Sequence, residues 1–483
     1  MTALKTDKPE FFSDICEVIR LFVNVRRIER TEDIATEGYA VLHTQTEKDA
    51  VIKSDVIFYA NGAEASRHTY SCDMPSGALE YKRAAKRAAK ISVYRALLSH
   101  FGSPPPWGSL TGIRPTKLLR DSEALLGSSG AKALFLDEFD VSPEKYELAK
   151  SIVDAQAGLK PPENALDIYI GIPFCTTRCA YCSFASYPLE AFENAARKYV
   201  GALLYELDAA KDIIGSYHIR ALYIGGGTPT ALDVKLLGKV LEKACELTGG
   251  AQEITVEAGR PDTIDEEKLT LIKRYGAGRI SVNAQTLCDD TLRRIGRRHT
   301  ALQFYKAYGL ARSAGFDSVN VDLIAGLPGE TNEFCDSLSK VIELSPENIT
   351  VHTLAIKRSS AFAAANLSLL PADLHMSAAL EKSREMLGAA GYLPYYMYRQ
   401  KYMKGSHENT GYAKSGKECL YNIDNMEELC GVLAFGAGAI SKRLFAGGQR
   451  IERAANVKEL KEYIQRCAKM AEAKRALFAQ PDL

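Results

Sequence analysis

Three cysteines stand close together in the stretch CTTRCAYCSF, which covers residues 175–184. Cys175, Cys179 and Cys182 follow a Cys-x3-Cys-x2-Cys spacing, and Phe184 stands where a fourth cysteine would extend the series. Three neighbouring thiolates suit an iron–sulfur cluster in which the protein holds three irons and leaves the fourth open to a substrate or cosubstrate. Two alternatives stay open on the spacing alone: a zinc site completed by a distant histidine, and three thiols without a metal.

The other cysteines carry no comparable pattern. The chain has 11 cysteines, and a reducing compartment would disfavour their pairing as disulfides. A single cysteine of this kind is typically a small buried or half-buried thiol. The scattered positions are Cys16, Cys72, Cys245, Cys288, Cys335, Cys419, Cys430 and Cys467.

Composition and charge exclude several classes of protein. With 483 residues the chain is expected to form two or three domains, and its 46% hydrophobic and 25% charged residues are typical of a globular protein. The net charge of +1 gives no global attraction to nucleic acid. The first residues have no apolar signal core, and no run reaches the roughly 18 apolar residues of a membrane span. We therefore expect a cytoplasmic protein without a membrane span or a nucleic-acid partner.

The elements that position the cysteines begin near residue 165. Short segments rich in β-branched residues alternate there with helical stretches, which is the rhythm of a parallel sheet with crossover helices. The six segments are DIYIGIP at 167, ALYIGGG at 221, EITVEAG at 253, RISVNAQ at 279, SVNVDLIAG at 318 and NITVHTLAI at 348. Six units are fewer than the eight of a closed barrel, so the pattern predicts an α/β fold with an open (β/α)6 partial barrel. Such folds collect their active sites at the carboxyl ends of the strands.

Two further regions flank this core. Residues 1–160 are predicted to form an α+β domain of unknown role, with strands at YAVLHTQ, AVIKSDVIFYA and ASRHTYSC and a long Ala/Lys/Arg-rich helix from residue 78. The segment FFSDICEVIRLFVN fits a helix and a buried strand equally well. The barrel core is predicted at 161–370, and a smaller C-terminal domain at 371–483.

The cysteine motif and the next strand end together resemble the radical S-adenosylmethionine (SAM) superfamily. CTTRCAYC follows the first strand of the core, and GGGTPT follows the second. The resemblance implies a [4Fe-4S] cluster held by Cys175, Cys179 and Cys182, whose open iron binds the amino and carboxylate groups of SAM. An electron from the reduced cluster then cleaves SAM and yields a 5′-deoxyadenosyl radical.

The same resemblance implies a set of SAM-binding residues at the strand ends. Glu257 and Asp322 are suitable partners for a ribose or an ammonium group, and Arg297 for a carboxylate. A carboxylate at a strand end also has a purely structural use, because it can cap the helix that follows. The implied residues are Tyr169, Tyr181, Gly226, Gly227, Thr228, Glu257, Gln285, Arg297, Asp322, Ala355 and Ile440.

Within the superfamily the chain resembles the oxygen-independent coproporphyrinogen III oxidase family, and in it the branch of HemZ-type coproporphyrinogen dehydrogenases. The resemblance is carried by WGSLTGIRPTKLL, TVEAGRPDTI, NITVHTLAIKR and GYAKSGKECLYN. It implies oxidative decarboxylation of two propionates of coproporphyrinogen III to vinyl groups, giving protoporphyrinogen IX for anaerobic haem synthesis. It also implies an electron donor such as a flavodoxin or ferredoxin.

Three departures from the oxidase pattern keep other functions open. Phe184 replaces a fourth cysteine, Gly171 replaces a histidine, and Asn409-Thr410 replaces Phe-Gln before a Gly-Tyr pair. The first and third departures are shared with the haem-chaperone branch, which binds haem. The alternatives are therefore a haem-binding chaperone and another radical SAM enzyme that acts on a tetrapyrrole.

A tetracarboxylate substrate calls for basic groups near the strand ends. Lys357 and Arg358 come just after the sixth strand and are candidates for clamping propionates through charge-assisted hydrogen bonds. His407, in GSHENTGY, is a candidate proton donor or substrate ligand.

Overall fold

The computed structural model describes residues 2–25, 27–31, 37–356, 360–363, 373–400, 407–445, 448 and 450–481. The contacts of the chain fall into two compact units. The first unit consists of Met1–Lys150 and Arg399–His407, and the second of Ser151–Tyr398 and Glu408–Leu483.

The first unit contains a five-stranded sheet in the order β2-β1-β3-β4-β5. Strands β3, β4 and β5 form an antiparallel meander, which confirms the three predicted strands, and β1 joins β3 in parallel. The strands are β1 (Thr2–Thr6), β2 (Glu29–Arg30), β3 (Tyr39–Lys48), β4 (Val51–Ala60) and β5 (Ala63–Asp73). The helices are α1 (Phe12–Phe22), α2 (Ala78–Phe101), α3 (Pro115–Ala133) and α4 (Pro143–Ala155, which ends in the second unit).

The ambiguous segment near the amino terminus is a helix, α1. Its buried residues include Ile15, Val18 and Ile19, which lie on one helical face because they are three and four positions apart. This face packs in the same apolar core as α2 and strands β3 and β4. The polar residues of this segment lie mainly on the opposite face of the helix. A buried strand has no exposed face that could hold them.

The second unit is built on an 11-stranded sheet in the order β14-β15-β13-β12-β11-β10-β9-β6-β16-β17-β18. Six neighbouring parallel strands form its centre and confirm the six predicted segments. These strands are β6 (Ala165–Ile172), β9 (His218–Gly226), β10 (Glu253–Glu257), β11 (Arg279–Ser281), β12 (Ser318–Ala325) and β13 (Asn348–Thr353). The other strands are β7 (Phe174–Cys175), β8 (Tyr187–Pro188), β14 (Leu393–Arg399), β15 (Glu408–Ala413), β16 (Gly431–Phe435), β17 (Ile440–Phe445) and β18 (Arg450–Ala455).

Helices connect the parallel strands and cover the sheet. In α7 the Asp233 side chain caps the first turn by accepting from the Leu236 N–H at 2.8 Å, and Gly249 ends the helix in the left-handed region. The core-facing residues Leu237 and Val240 recur at helical spacing between these caps. The helices are α5 (Leu189–Asp208), α6 (Lys211–Gly215), α7 (Val234–Thr248), α8 (Glu266–Arg274), α9 (Asp289–Arg294), α10 (Ala301–Ser313), α11 (Glu333–Glu343), α12 (Asp373–Ala389), α13 (Leu420–Glu427) and α14 (Leu460–Phe478).

The carboxyl-terminal region contributes strands to this same sheet. Strand β15 pairs antiparallel with β13, and β16 pairs in parallel with β6, where Leu433 lies opposite Ile168. The predicted division between 161–370 and 371–483 stays a prediction, but the two regions share one sheet. Within the described ranges, no helix has the length and hydropathy to cross a bilayer.

Two carboxyl groups and a thiol are buried together near the start of β6. Oxygen atoms of Asp167 and Asp424 and the sulfur of Cys430 lie within 4.8 Å of one another, and both aspartates are 0% exposed. The Arg220 Nε donates to Asp424 Oδ2 at 2.5 Å. Burial raises the pKa of Asp167 well above its usual value, with the Asp424 charge adding to the shift, and burial raises the pKa of Asp424 to about 6. One guanidinium cannot neutralise two carboxylates, so the folded pair retains a proton.

We expect Asp167→Asn to stabilise the protein, and more so as the pH rises. The unfolded carboxyls release their protons near pH 4, whereas the folded pair holds one through pH 6, so the wild type loses stability above pH 4. Asparagine does not titrate, and its advantage should reach about 1–3 kcal/mol near pH 8. Urea unfolding of the two apoproteins between pH 5 and pH 8 measures this. A difference in the free energy of unfolding that is constant with pH would contradict the shared proton.

Candidate active site

The three cysteines follow β6: Cys175 ends the two-residue strand β7, and Cys179 and Cys182 lie in the loop after it. Cys175 and Cys179 are buried, and Cys182 is half-buried. The Cys182 N–H donates to the Cys179 carbonyl oxygen at 3.0 Å and closes a turn. Burial raises the pKa of the Cys182 thiol, and the neighbouring Cys179 and Cys175 thiols shift it in the same direction. Phe184 lies in the same loop with 66% of its surface exposed.

A glycine turn at the end of β9 lies directly beside the cysteine loop. Gly226 has a φ of +106°, a conformation that favours glycine. The Thr228 N–H donates to the Phe174 carbonyl at 2.7 Å, and the Thr228 hydroxyl lies 3.4 Å from the Cys175 sulfur. The two motifs that the sequence places on successive strands are therefore in contact.

We expect Gly227→Ala to disrupt this contact. A Cβ at position 227 would lie 2.6 Å from the Phe174 carbonyl oxygen and 2.9 Å from that of Ile172, and both are backbone atoms that cannot rotate away. The free energy of unfolding should fall by about 1–3 kcal/mol, the usual result of overpacking, and iron retention should fall with it. Gly309→Ala is the matched control, because nothing lies within 4 Å of its added Cβ. Equal melting temperature and iron content for Gly227→Ala and the wild type would contradict the prediction.

Glu257 lies at the end of β10 and points toward the glycine turn. The Tyr223 hydroxyl donates to its Oε1 at 2.5 Å, and the Gly226 N–H donates to its Oε2 at 3.2 Å. Burial, with a smaller contribution from the Asp322 charge, raises the pKa of Glu257 to about 7. This carboxyl group therefore changes charge near neutral pH.

Asp322, on β12, is held in the ionised form. Asn283 and Asn320 each donate a side-chain N–H to it at 2.7 Å, and the His352 Nε2 lies 3.5 Å from its Oδ2. Burial opposes ionisation, but the His352 and Asn320 side chains outweigh it and keep the pKa of Asp322 below its usual value. The site thus contains two carboxyl groups that differ in charge state near pH 7.

Arg297 and Gln285 bring further polar atoms to the same strand ends. The Arg297 Nη1 donates to the carbonyl oxygens of Asn283 at 2.9 Å and Gly259 at 3.1 Å. Gln285 has a φ of +66°, and its backbone bridges to β12 at Leu323. In the described part of the chain, neither the Arg297 Nε nor the Gln285 Oε1 has a hydrogen-bond partner, although both are buried. Unpartnered buried polar atoms of this kind suit a polar ligand.

Two predicted tyrosines belong to this region, Tyr169 on β6 and Tyr181 within the cysteine motif. Tyr169, on β6, stacks with Tyr223 and Tyr421 at centroid distances of 6.3 and 6.1 Å. Tyr181, inside the cysteine motif, packs on an apolar cluster that includes Leu327. Burial raises the pKa of the Tyr181 hydroxyl, Arg297 opposes that shift, and Cys179 adds to it.

The remaining predicted residues have fewer described contacts with the cysteine loop and the polar strand ends. Ala355 is half-buried two residues after β13, and Ile440 begins β17 with 46% of its surface exposed. His407 is 1% exposed and belongs to the first unit by its contacts. Lys357 and Arg358 lie outside the described residues.

Sequence reasoning missed several members of the site. Asn283 follows the end of β11 and had no pattern that marked it, whereas Asn320 stands two positions before the predicted residue Asp322 on β12 and shares its side of the strand. That period of two was the available signal for Asn320. Arg260 had no such signal, yet its Nη1 donates to the Cys179 sulfur at 3.5 Å.

Comparisons with known proteins agree with this geometry. The model of the radical SAM superfamily matches residues 169–341. The oxygen-independent coproporphyrinogen-III oxidase-like protein HemZ of Bacillus subtilis is 39% identical over 387 residues, which cover 77% of each chain. The haem chaperone HemW of Haemophilus influenzae is 34% identical, over 63% of this chain and 77% of that protein.

A solved structure supports the fold. The coproporphyrinogen III oxidase HemN from Escherichia coli, a radical SAM enzyme, matches with a TM-score of 0.53 and 26% identity, over 66% of this chain and 73% of that chain. The superfamily works with a [4Fe-4S] cluster and SAM, and these are the cofactors of this chain. Three thiols after the first core strand, together with buried polar atoms that have no hydrogen-bond partner among the described residues, fit both groups. The chain belongs to the radical SAM superfamily, in the family of HemZ- and HemN-like coproporphyrinogen oxidase homologues.

Proposed function

We propose that this chain is an oxygen-independent coproporphyrinogen III oxidase, which converts two propionate side chains to vinyl groups and yields protoporphyrinogen IX. The observation that carries the proposal is the contact between the three-cysteine loop and the polar strand ends, in a chain 39% identical to an oxygen-independent coproporphyrinogen-III oxidase-like protein. The loop would hold the cluster that takes part in the radical chemistry, and the names of the relatives support a tetrapyrrole substrate.

The cysteines have the first role in this proposal. Cys175, Cys179 and Cys182 would each bind one iron, leaving the fourth iron for SAM. When bound, the cluster and SAM supply a 5′-deoxyadenosyl radical by one-electron cleavage of the sulfonium. Thr228 and Arg260 contact two of the three sulfurs and would fix the direction in which the cluster faces the strand ends.

The polar side chains at the strand ends would hold SAM. Arg297 offers a buried cation for a carboxylate, and Asp322, whose pKa lies below its usual value, offers an anion for an ammonium or hydroxyl group. Because its pKa is about 7, Glu257 would be mainly ionised only above that pH. Tyr169 and Tyr181 provide apolar faces beside these charges.

The reaction balances for each propionate without oxygen. The β-carbon would lose a hydrogen atom to the 5′-deoxyadenosyl radical that bound SAM would supply, the carboxylate would leave as carbon dioxide, and one electron would pass to an acceptor. A vinyl group remains, and two SAM molecules are consumed per protoporphyrinogen IX. An electron donor such as a flavodoxin or ferredoxin would reduce the cluster, and Lys357, Arg358 and His407 are the proposed substrate contacts.

Product analysis tests the proposal. Reconstituted protein should be incubated anaerobically with coproporphyrinogen III, SAM and a reductant, beside a Cys179→Ala control. We expect 5′-deoxyadenosine and the divinyl product from the wild type and neither from the control. A cluster-loaded protein that cleaves SAM but leaves every propionate intact would refute the substrate assignment.

A haem-binding chaperone is the second candidate function. It is favoured by Phe184, which replaces the fourth cysteine, is 66% exposed, and is shared with the chaperone branch that the sequence resembles. Three HemW relatives are 31–34% identical to this chain. Titration with haem discriminates the two, because stoichiometric tight binding without conversion of coproporphyrinogen would support the chaperone and overturn the oxidase.

A further inference from the structure

One arginine donates a hydrogen bond to a cysteine of the cluster loop. Arg260 lies three residues after the end of β10, and its side chain is 3% exposed. Its Nη1 donates to the Cys179 sulfur at 3.5 Å, which is within range for a hydrogen bond to sulfur. A buried cation therefore touches an atom that would bind iron.

The arginine has no freedom to turn away from the sulfur. Its Nε and Nη2 donate to the two oxygens of Asp262 at 3.0 and 3.2 Å, in a fork-to-fork pair. Its Nη2 also donates to the Thr177 hydroxyl at 3.0 Å, and its Nη1 to the Thr177 carbonyl at 3.3 Å. These four contacts and the sulfur match the five N–H groups of a guanidinium, so every donor is committed.

Asp262 completes the arrangement from the opposite side. The Thr176 hydroxyl donates to its Oδ2 at 2.7 Å. Burial works against ionisation of Asp262, but Arg260 outweighs it and keeps the pKa of Asp262 below its usual value. The Asp262 carboxylate therefore offsets part of the positive charge of Arg260. It accepts from Nε and Nη2, whereas the N–H that donates to the sulfur belongs to Nη1.

Both the positive charge of Arg260 and its hydrogen bond to sulfur affect the reduction potential of a cluster. Reduction adds one negative charge, which spreads over the cluster and its thiolates. A donor aimed at a thiolate stabilises the reduced state more than the oxidised state, and hydrogen bonds to sulfur are among the levers that set cluster potentials. A higher potential allows reduction by a milder electron donor and leaves less driving force for SAM cleavage.

We propose that Arg260 is a tuning residue that raises the reduction potential of the [4Fe-4S] cluster through its hydrogen bond to Cys179, with Asp262 limiting the size of the effect. The inference rests on the proposed role of the three cysteines as cluster ligands, and it does not depend on the identity of the substrate. It assigns the paired residues Arg260 and Asp262 opposite effects on one measurable quantity.

The test is a redox titration of reconstituted protein, followed by electron paramagnetic resonance in the absence of SAM. Arg260→Met should lower the midpoint potential, such that the ratio of reduced to oxidised cluster falls about tenfold at a fixed solution potential, or about 59 mV. Asp262→Asn should raise the potential, because it leaves the arginine charge without its counterion. Arg260→Lys keeps the charge without the fork and should give an intermediate value.

Shifts of opposite sign separate tuning from a structural role. A residue that only braces the loop would, when removed or loosened, alter iron content without moving the potential of the clusters that remain. Unchanged potentials in Arg260→Met and Asp262→Asn, or shifts of both in one direction, would overturn the inference. If Arg260→Met retains too little iron, Arg260→Lys and Asp262→Asn decide the matter. A failure of the wild type to bind four irons would instead count against the proposed function.

Discussion

Cys179→Ala is expected to abolish cluster binding and, with it, every reaction of SAM. Cys179 lies at the centre of its loop, where its carbonyl oxygen accepts from the Cys182 N–H and its sulfur accepts from Arg260. Loss of one of three thiolates leaves an iron without a protein ligand. Even an outer-shell partner of a metal ligand is worth about 10–100-fold in affinity or activity, so we expect SAM cleavage to fall at least ~10²-fold.

The control for this variant is Cys335→Ala. Cys335 is a half-buried single thiol on α11 and has no place in the cysteine motif. Iron and sulfide should be counted per chain after anaerobic reconstitution, and 5′-deoxyadenosine should be measured with dithionite as reductant. A Cys179→Ala protein with a full complement of iron and normal SAM cleavage would contradict a cluster held by three thiolates.

Lys474→Met is expected to give the largest loss of stability. Glu206 on α5 and Lys474 on α14 form an ion pair with side chains 0% and 1% exposed. The Glu206 carboxylate also accepts from the Gly436 N–H at 3.0 Å and from the Tyr463 hydroxyl at 2.6 Å. Removing the ammonium leaves a buried carboxylate without its counterion, which typically costs about 3–5 kcal/mol.

A double variant distinguishes charge from packing. Glu206→Gln combined with Lys474→Met removes both charges and keeps an acceptor for Gly436 and Tyr463. We expect the double variant to regain part of the loss of the single variant in chemical unfolding, because no uncompensated charge remains. A double variant as unstable as the sum of the two single variants would show that the charges do not interact.

The pair also bears on the active site. Gly436 has a φ of +99°, and a Cβ there would lie 2.4 Å from the Gly171 carbonyl at the end of β6. The same Gly171 carbonyl accepts from the Tyr199 hydroxyl at 2.5 Å. The turn after β16 therefore packs closely on β6, the strand that leads into the cysteine loop. A variant that loosens this packing should reduce iron retention.

The parallel core of the fold was predictable because each strand has a recognisable pattern in its own short segment of sequence. Segments such as DIYIGIP and EITVEAG are β-rich, short and separated by helical stretches, and each became one of the six parallel strands. The cysteine spacing and the glycine turn were predictable for the same reason. Both are contiguous motifs, and their contact follows from the adjacency of β6 and β9.

Features that depend on distant pairing were not predictable. Strand β16 joins β6 in parallel although more than 250 residues separate them, and Glu206 meets Lys474 across 268 positions. A lone charged residue in a helix is usually solvated, so nothing in the sequence marks this pair as buried. The Arg260–Cys179 contact is similar, because it depends on how two strand-end loops approach each other.

Isotope transfer tests most directly whether this site removes hydrogen from a tetrapyrrole propionate. Coproporphyrinogen III deuterated at the β-carbons of its propionates should be incubated anaerobically with reconstituted protein, SAM and reductant. We expect 5′-deoxyadenosine carrying one deuterium, formed at two molecules per divinyl product. Unlabelled 5′-deoxyadenosine beside intact coproporphyrinogen III would contradict it.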